Sequence, residues 1–124
     1  MISFLAVFIG GGLGSLCRYA TGLLSKMLFG STFPLGTLIV NLLGCFAIGY
    51  LNARFEKVFA SQETRNLCIA GMLGGFTTFS AFGFETMSLF KSGSIAMAIL
   101  NILLNVVLGI LLAYAGYYYI SVQR

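Results

Sequence analysis

The sequence predicts an all-α membrane protein of four transmembrane helices, the third broken near mid-membrane. Three observations lead there. Of the 124 residues, 59% are hydrophobic and only 8% charged, with a mean hydropathy of +0.99, whereas soluble domains carry about 25% charged residues. The apolar residues fall into four blocks, each near the ~20 residues that a bilayer core demands of a helix. The third block contains the stretch GGFTTFSAFGFE (Gly74 to Glu85), where adjacent glycines, hydroxyls and phenylalanines run into a carboxylate. No room is left for a separate soluble domain, so residues 1–124 are expected to form one domain.

The first block runs from Ile2 to Leu24. It lacks a basic leader region and is expected to be a retained span, not a cleaved signal peptide. Its GGGLGS (Gly10 to Ser15) misses the G-x-G-x-x-G spacing of a nucleotide loop, because Ser15 stands at the third glycine position. Gly10 with Gly14, and Gly11 with Ser15, instead make small faces on which another helix can approach closely in lipid. Arg18 interrupts the block near its end. A buried arginine costs roughly 2.5–3.5 kcal/mol on insertion scales unless it snorkels or finds a partner, so it reads equally as an interfacial anchor or as a residue of a pore mouth.

The second block runs from Leu35 to Ala53, its start marked by Pro34. The link RFEKVFASQETR (Arg54 to Arg65) holds the two acids outside the spans, Glu56 and Glu63, and is expected to be a short amphipathic turn. The third block spans Leu67 to Leu89. The fourth, Ile95 to Ile120, ends in YAGYYY, a tyrosine cluster suited to a headgroup belt. Cys17, Cys45 and Cys68 show no metal-ligand spacing and read as small packing residues.

The charge pattern excludes several classes of function. The net charge is +4, but the basic residues are scattered between the blocks, as lipid-headgroup anchors are, and no nucleic-acid face is expected. There is no His and no Asp, so hydrolytic triads and His-ligated metals are out of reach, and no enzyme is expected. With the N-terminus cytoplasmic, Arg54, Lys57, Arg65 and Arg124 share that side. Lys26 and Lys91, with Arg18 reaching toward them, take the other. A bias that weak hardly selects one orientation by the positive-inside rule, and insertion in both directions is expected.

The polar residues inside the blocks fall into stripes. Thr37 and Asn41 are four apart, as are Asn101 and Asn105, so each pair shares a helix face. They can glue helices together, or they can line a track of neutral N–H and O–H donors for an anion that sheds its water. In the third block, Gly74, Gly75 and Gly83 with Thr77 and Thr78 weaken the helix. A mid-membrane break is tolerated only where it is buried in protein or lines a cavity. Freed carbonyls there can bind a cation, and half-helix N-termini favour anions. Phe76, Phe79 and Phe82, every third residue, form a slowly drifting stripe whose ring edges carry positive potential and can face an anion without trapping it.

GGGLGSLCRY in span one, PLGTLIVN opening span two and GGFTTFSAF in span three together resemble the Fluc/CrcB fluoride channels, and the likeness runs in order across nearly the whole chain. The resemblance implies an antiparallel, dual-topology homodimer in a microbial inner (plasma) membrane, exporting cytoplasmic fluoride passively through two pores. It implies a central structural sodium ion held by the backbone carbonyls of Gly74 and Thr77 from each subunit. Phe79 and Phe82 would be the pore phenylalanines, one from each subunit beside a given pore. Asn41 would be the central donor with Ser80 near it, and Thr37, Asn101 and Asn105 would extend the polar track. Arg18 and Glu85 would lie nearer the vestibules. Ala81 departs from the family pattern, where many members have Ser or Thr, and Asn101 and Asn105 stand where relatives often carry Tyr or Ser.

Two other readings compete. A small dual-topology multidrug exporter needs a central membrane carboxylate, usually early in the chain, and tends to carry Trp; here span one has no acid and Trp is absent. A non-transporting assembly subunit would use its polar residues only as helix glue.

Overall fold

The computed structural model describes residues 1–30 and 32–123, and all regular structure among them is helical. Four helices are long and apolar enough to cross a membrane: α1 (Ile2–Phe29), α2 (Leu35–Lys57), α3 (Gln62–Lys91) and α4 (Ile95–Val122). Each extends past the apolar block that predicts it. α1 runs one turn beyond Leu24 and stops at Gly30, whose φ of 53° supplies the left-handed residue of a C-terminal cap, its N–H on the Lys26 carbonyl at 3.0 Å. The link between the second and third spans keeps a short turn over residues 58–61, with helix on both sides of it. α2 continues to Lys57, and α3 starts at Gln62 with the Ser61 hydroxyl accepting from the Thr64 N–H at 3.2 Å. Arg124, one of the charges in the topology count, lies outside the described residues.

Glycines decide which helices touch. α1 lies along the first half of α3 in parallel: a methyl on Gly14 would collide with the Met72 carbonyl, and one on Gly75 with the Gly11 carbonyl. α2 and α4 pack the same way through Gly49 against Ala113 and Gly116 against Phe46. Lipid offers no hydrophobic drive between helices, so dispersion across close backbones has to hold these pairs. The small face Gly10–Gly14 is thus a packing surface, and Gly10 and Gly14 are buried.

The third span is interrupted, but not at its glycines. Its first half has π-helical turns over Asn66–Leu73 and a last α turn over Gly74–Phe76, with Gly74 in ordinary helical geometry (φ −61°, ψ −37°). The chain then extends through Thr77 (φ −84°, ψ 159°) and Thr78 (φ −153°, ψ 119°), and a new helix runs over Phe79–Lys91. The expected break at Gly74-Gly75 therefore sits three residues further on. Two adjacent β-branched threonines favour extended backbone, and the Thr78 hydroxyl caps the second half by accepting from the Ala81 N–H at 3.3 Å. Gly75 serves close approach to α1 instead, and Gly83 lies inside the second helical half.

Candidate functional site at the break in the third span

A broken backbone in mid-span leaves amides and carbonyls that lipid cannot satisfy, at several kcal/mol each. Side chains from α1 and α2 meet them. The Asn41 amide of α2 pairs with Thr78 at both of its backbone groups: Thr78 N–H donates to Asn41 Oδ1 at 2.8 Å, and Asn41 Nδ2 donates to the Thr78 carbonyl at 3.1 Å. The Arg18 Nη1 of α1 donates to the Thr77 carbonyl at 3.1 Å. The Thr77 hydroxyl turns back to the Leu73 carbonyl at 2.9 Å. Arg18 thus does not reach for the interface as the charge count assumed; the break gives it a carbonyl partner inside the bundle. In a continuous helix the Thr78 N–H would meet the Gly74 carbonyl. Turned to Asn41, it leaves that carbonyl without its usual donor.

The polar residues of α4 stand behind Asn41. Asn41 Nδ2 also donates to Asn105 Oδ1 at 2.8 Å, so both donor hydrogens of this amide are engaged. Asn105 Nδ2 donates to the Asn101 side-chain oxygen at 2.9 Å and to the Asn101 carbonyl at 3.0 Å. That carbonyl is the acceptor the Asn105 backbone N–H would use in an α-helix, and the helix widens to π turns over Leu104–Leu108. Asn101, 0% exposed, donates from Nδ2 to Thr86 Oγ1 at 2.9 Å, and the Thr86 hydroxyl donates to the Phe82 carbonyl at 2.8 Å. Thr86 escaped the sequence reading, because a lone threonine in an apolar helix looks like packing; its place seven residues after Phe79, two turns along the same face, was the available signal.

The two site phenylalanines differ sharply. Phe82 is 6% exposed and Phe79 80%, yet the rings meet edge to face, with centroids 5.4 Å apart at 61°. Both line a cavity of about 360 Å³, open to one side, together with Asn41, Thr77, Thr78 and Asn105. Ser80 is exposed, its hydroxyl 3.3 Å from that of Thr78. At Ala81, where a hydroxyl was expected from the resemblance, the backbone N–H is met by Thr78. Asn101 does not line this cavity; it is enclosed behind Asn105.

Thr37 and Glu85 form a second cluster toward the ends of α1 and α3. The Thr37 hydroxyl donates to Glu85 Oε1 at 2.7 Å, and Glu85 Oε2 is enclosed without a hydrogen-bond partner among the described residues. Both residues line a cavity of about 230 Å³ with Ser25, Lys26 and Pro34. The cluster stands one turn of α2 away from Asn41.

Known proteins match this chain along almost all of its length. Residues 5–117 match the family model described as CrcB-like protein, Camphor Resistance (CrcB). A protein of Dehalococcoides mccartyi is 43% identical over 119 residues, covering 95% of this chain and 92% of its own. One from Shewanella frigidimarina is 43% identical and one from Rhizobium etli 44%, each covering 94% of both chains. All three are named fluoride-specific ion channel FluC. With its family pattern running through α1, α2, the broken α3 and α4, this chain belongs to the CrcB family.

Proposed function

We propose that this protein is a fluoride-selective channel that lets fluoride leave the cytoplasm passively across the inner membrane. The observation that carries the reading is the braced break: an extended Thr77–Thr78 segment beside edge-to-face Phe79 and Phe82, opening on a cavity shared with Asn41 and Asn105. The family membership and the names of the relatives support it.

The chemistry of this chain suits a small anion. Ring edges offer positive potential without a fixed charge, so an anion passes without being trapped. The half-helix beginning at Phe79 presents its N-terminus beside the cavity, and a helix N-terminus favours negative charge. Ser80, exposed on the first turn of that half-helix, adds a hydroxyl beside that of Thr78, and Thr37 with Glu85 would stand toward one mouth. Fluoride is smaller and a stronger acceptor than chloride, so a path of hydrogen-bond donors and ring edges selects for it.

In this reading the channel is an antiparallel homodimer with two pores. The largely exposed Phe79 and the open side of the cavity are where a second copy would complete each path. The residues fit a structural sodium ion: the Gly74 carbonyl lacks its helical donor, and the Thr77 carbonyl keeps one lone pair beside the Arg18 contact. When bound, that ion would supply positive charge beside the anion path. Arg18 holds the Thr77 carbonyl in place from the α1 side, within its own chain.

Liposomes loaded with fluoride and containing the purified protein test the reading. Fluoride should leave once a charge-balancing ionophore is added, with no proton gradient, and chloride far more slowly. Equal rates for the two anions would overturn the selectivity. A multidrug exporter would instead require a proton gradient, and an assembly subunit would release neither anion.

A further inference from the structure

Asn41, Asn105, Asn101 and Thr86 do more than share helix faces; the side-chain hydrogen bonds that link them all run in one direction. A backbone N–H can only donate, so Thr78 N–H fixes which end of the Asn41 amide is oxygen. The Asn41 nitrogen must then face outward to the Thr78 carbonyl and to Asn105 Oδ1. That choice fixes Asn105, whose nitrogen faces Asn101. Asn101 in turn must present its nitrogen to Thr86. The far end agrees independently: the Thr86 hydroxyl spends its one hydrogen on the Phe82 carbonyl, so it can only accept from Asn101. The series starts at the break and returns to the second half of the same span, one turn beyond Phe82.

We propose that Thr86, Asn101 and Asn105 form a directional hydrogen-bond relay that holds the Asn41 amide in the one orientation able to brace the extended Thr77–Thr78 segment. Thr86 and Asn101 are then positioning residues for an anion path that neither touches. Asn101, wholly enclosed, and Thr86, 7% exposed, have no water to substitute for a lost partner, so an interruption passes along the series. Without Thr86 the Asn101 amide is free to turn over and set its NH₂ against the Asn105 nitrogen, donor against donor, and the Asn105 side chain, its nitrogen still held by the Asn101 carbonyl, would shift away from Asn41. The Asn41 amide would then swing away from Thr78, and the break would lose its brace while the rest of the bundle stayed packed. The inference rests on the fluoride-channel reading.

The test uses the whole protein in liposomes at less than one channel per vesicle. The fraction of vesicles that empty then counts folded channels, while the emptying rate reports the throughput of each. Thr86→Val, close in shape and lacking the hydroxyl, should slow emptying roughly ten-fold, the scale of one lost buried hydrogen bond, and Thr86→Ser should restore the rate. A lesion that only lowers the yield of folded channels would change the fraction and leave the rate alone. Thr86→Val combined with Asn41→Ala should be no slower than Asn41→Ala by itself, because both act on one device. If Thr86→Val fails to fold, Thr86→Cys carries the same test, since its thiol is a poor acceptor: emptying several-fold slower than Thr86→Ser is expected. A wild-type rate for the Val or Cys variant, or effects of Thr86→Val and Asn41→Ala that multiply independently, overturns the relay. A wild-type protein that passes no fluoride overturns the channel reading itself.

Discussion

Phe79 and Phe82 lie one turn apart and touch, yet the surroundings of their rings are opposite, and this separates two effects that sequence alone merges. Phe82 is buried in the interior of the chain, so Phe82→Ile leaves unfilled volume and should cost about 1–2 kcal/mol of stability. Phe79 is mostly exposed on the folded chain, so Phe79→Ile should change the stability of that fold by no more than about 0.5 kcal/mol. If ring edges face the anion, both substitutions cut fluoride flux despite that difference. Flux and thermal unfolding measured on the same purified variants decide it: fluoride rates near wild type for both would mean that the aromatic stripe is core packing only. Arg18 teaches a related lesson. A cation in an apolar helix was expected to reach for the headgroups or a pore mouth, but a carbonyl freed by the break lies within reach and ends that search.

At the scale of elements, the glycines of the third span divide into two kinds that look alike in sequence. Gly75 sits where α1 and α3 bring their backbones together, and a Cβ there would strike the Gly11 carbonyl. Gly83 lies in the second helical half with nothing within 4 Å of an added Cβ. Gly75→Ala should therefore destabilise the protein by about 1–3 kcal/mol, the usual cost of forcing volume into a packed contact. Gly83→Ala should be neutral or stabilising by up to about 1 kcal/mol, since alanine is the better helix former. Unfolding midpoints of the two variants in detergent check this, and equal midpoints would contradict the assignment of Gly75 to helix contact. The break itself owes nothing to either glycine. It lies at Thr77 and Thr78, where β-branched residues extend and an asparagine from α2 takes over the backbone pairing.

Across the whole molecule, the charged anchors are nearly balanced between the two ends of the bundle. Among the described residues Arg54, Lys57 and Arg65 mark one end and Lys26 and Lys91 the other, the sequence adds Arg124 to the first set, and Arg18 is engaged by the Thr77 carbonyl. The Lys57 ammonium closes the first end by donating to the Ile120 and Gln123 carbonyls at the close of α4. Balance of this kind leaves orientation open under the positive-inside rule, as an antiparallel dimer requires. Reporters fused to the C-terminus should therefore show both orientations in cells, and two lysines added after Ile120 should drive the population to C-terminus inside. A single orientation of the unmodified chain would contradict dual insertion.

What the sequence determined by itself is what depends on composition and short-range pattern. Four long apolar blocks could only become membrane helices, because lipid satisfies no backbone group and the helix satisfies nearly all of its own. The small-residue face of α1 was legible because close packing in lipid needs small side chains at i and i+4. That the third span breaks was legible from its paired threonines, while the glycines pointed to a place three residues too early. The position depends on partners far along the chain, with Asn41 and Arg18 pairing to Thr78 and Thr77 across separations of 37 and 59 residues. The stripes of asparagine announced polar faces, but donor direction, the recruitment of Thr86 and the enclosure of Asn101 exist only once α2, α3 and α4 are packed. Hydrogen-bond partners are chosen by three-dimensional proximity, and in a dry interior, where no water can stand in for a missing partner, that choice belongs to the tertiary structure.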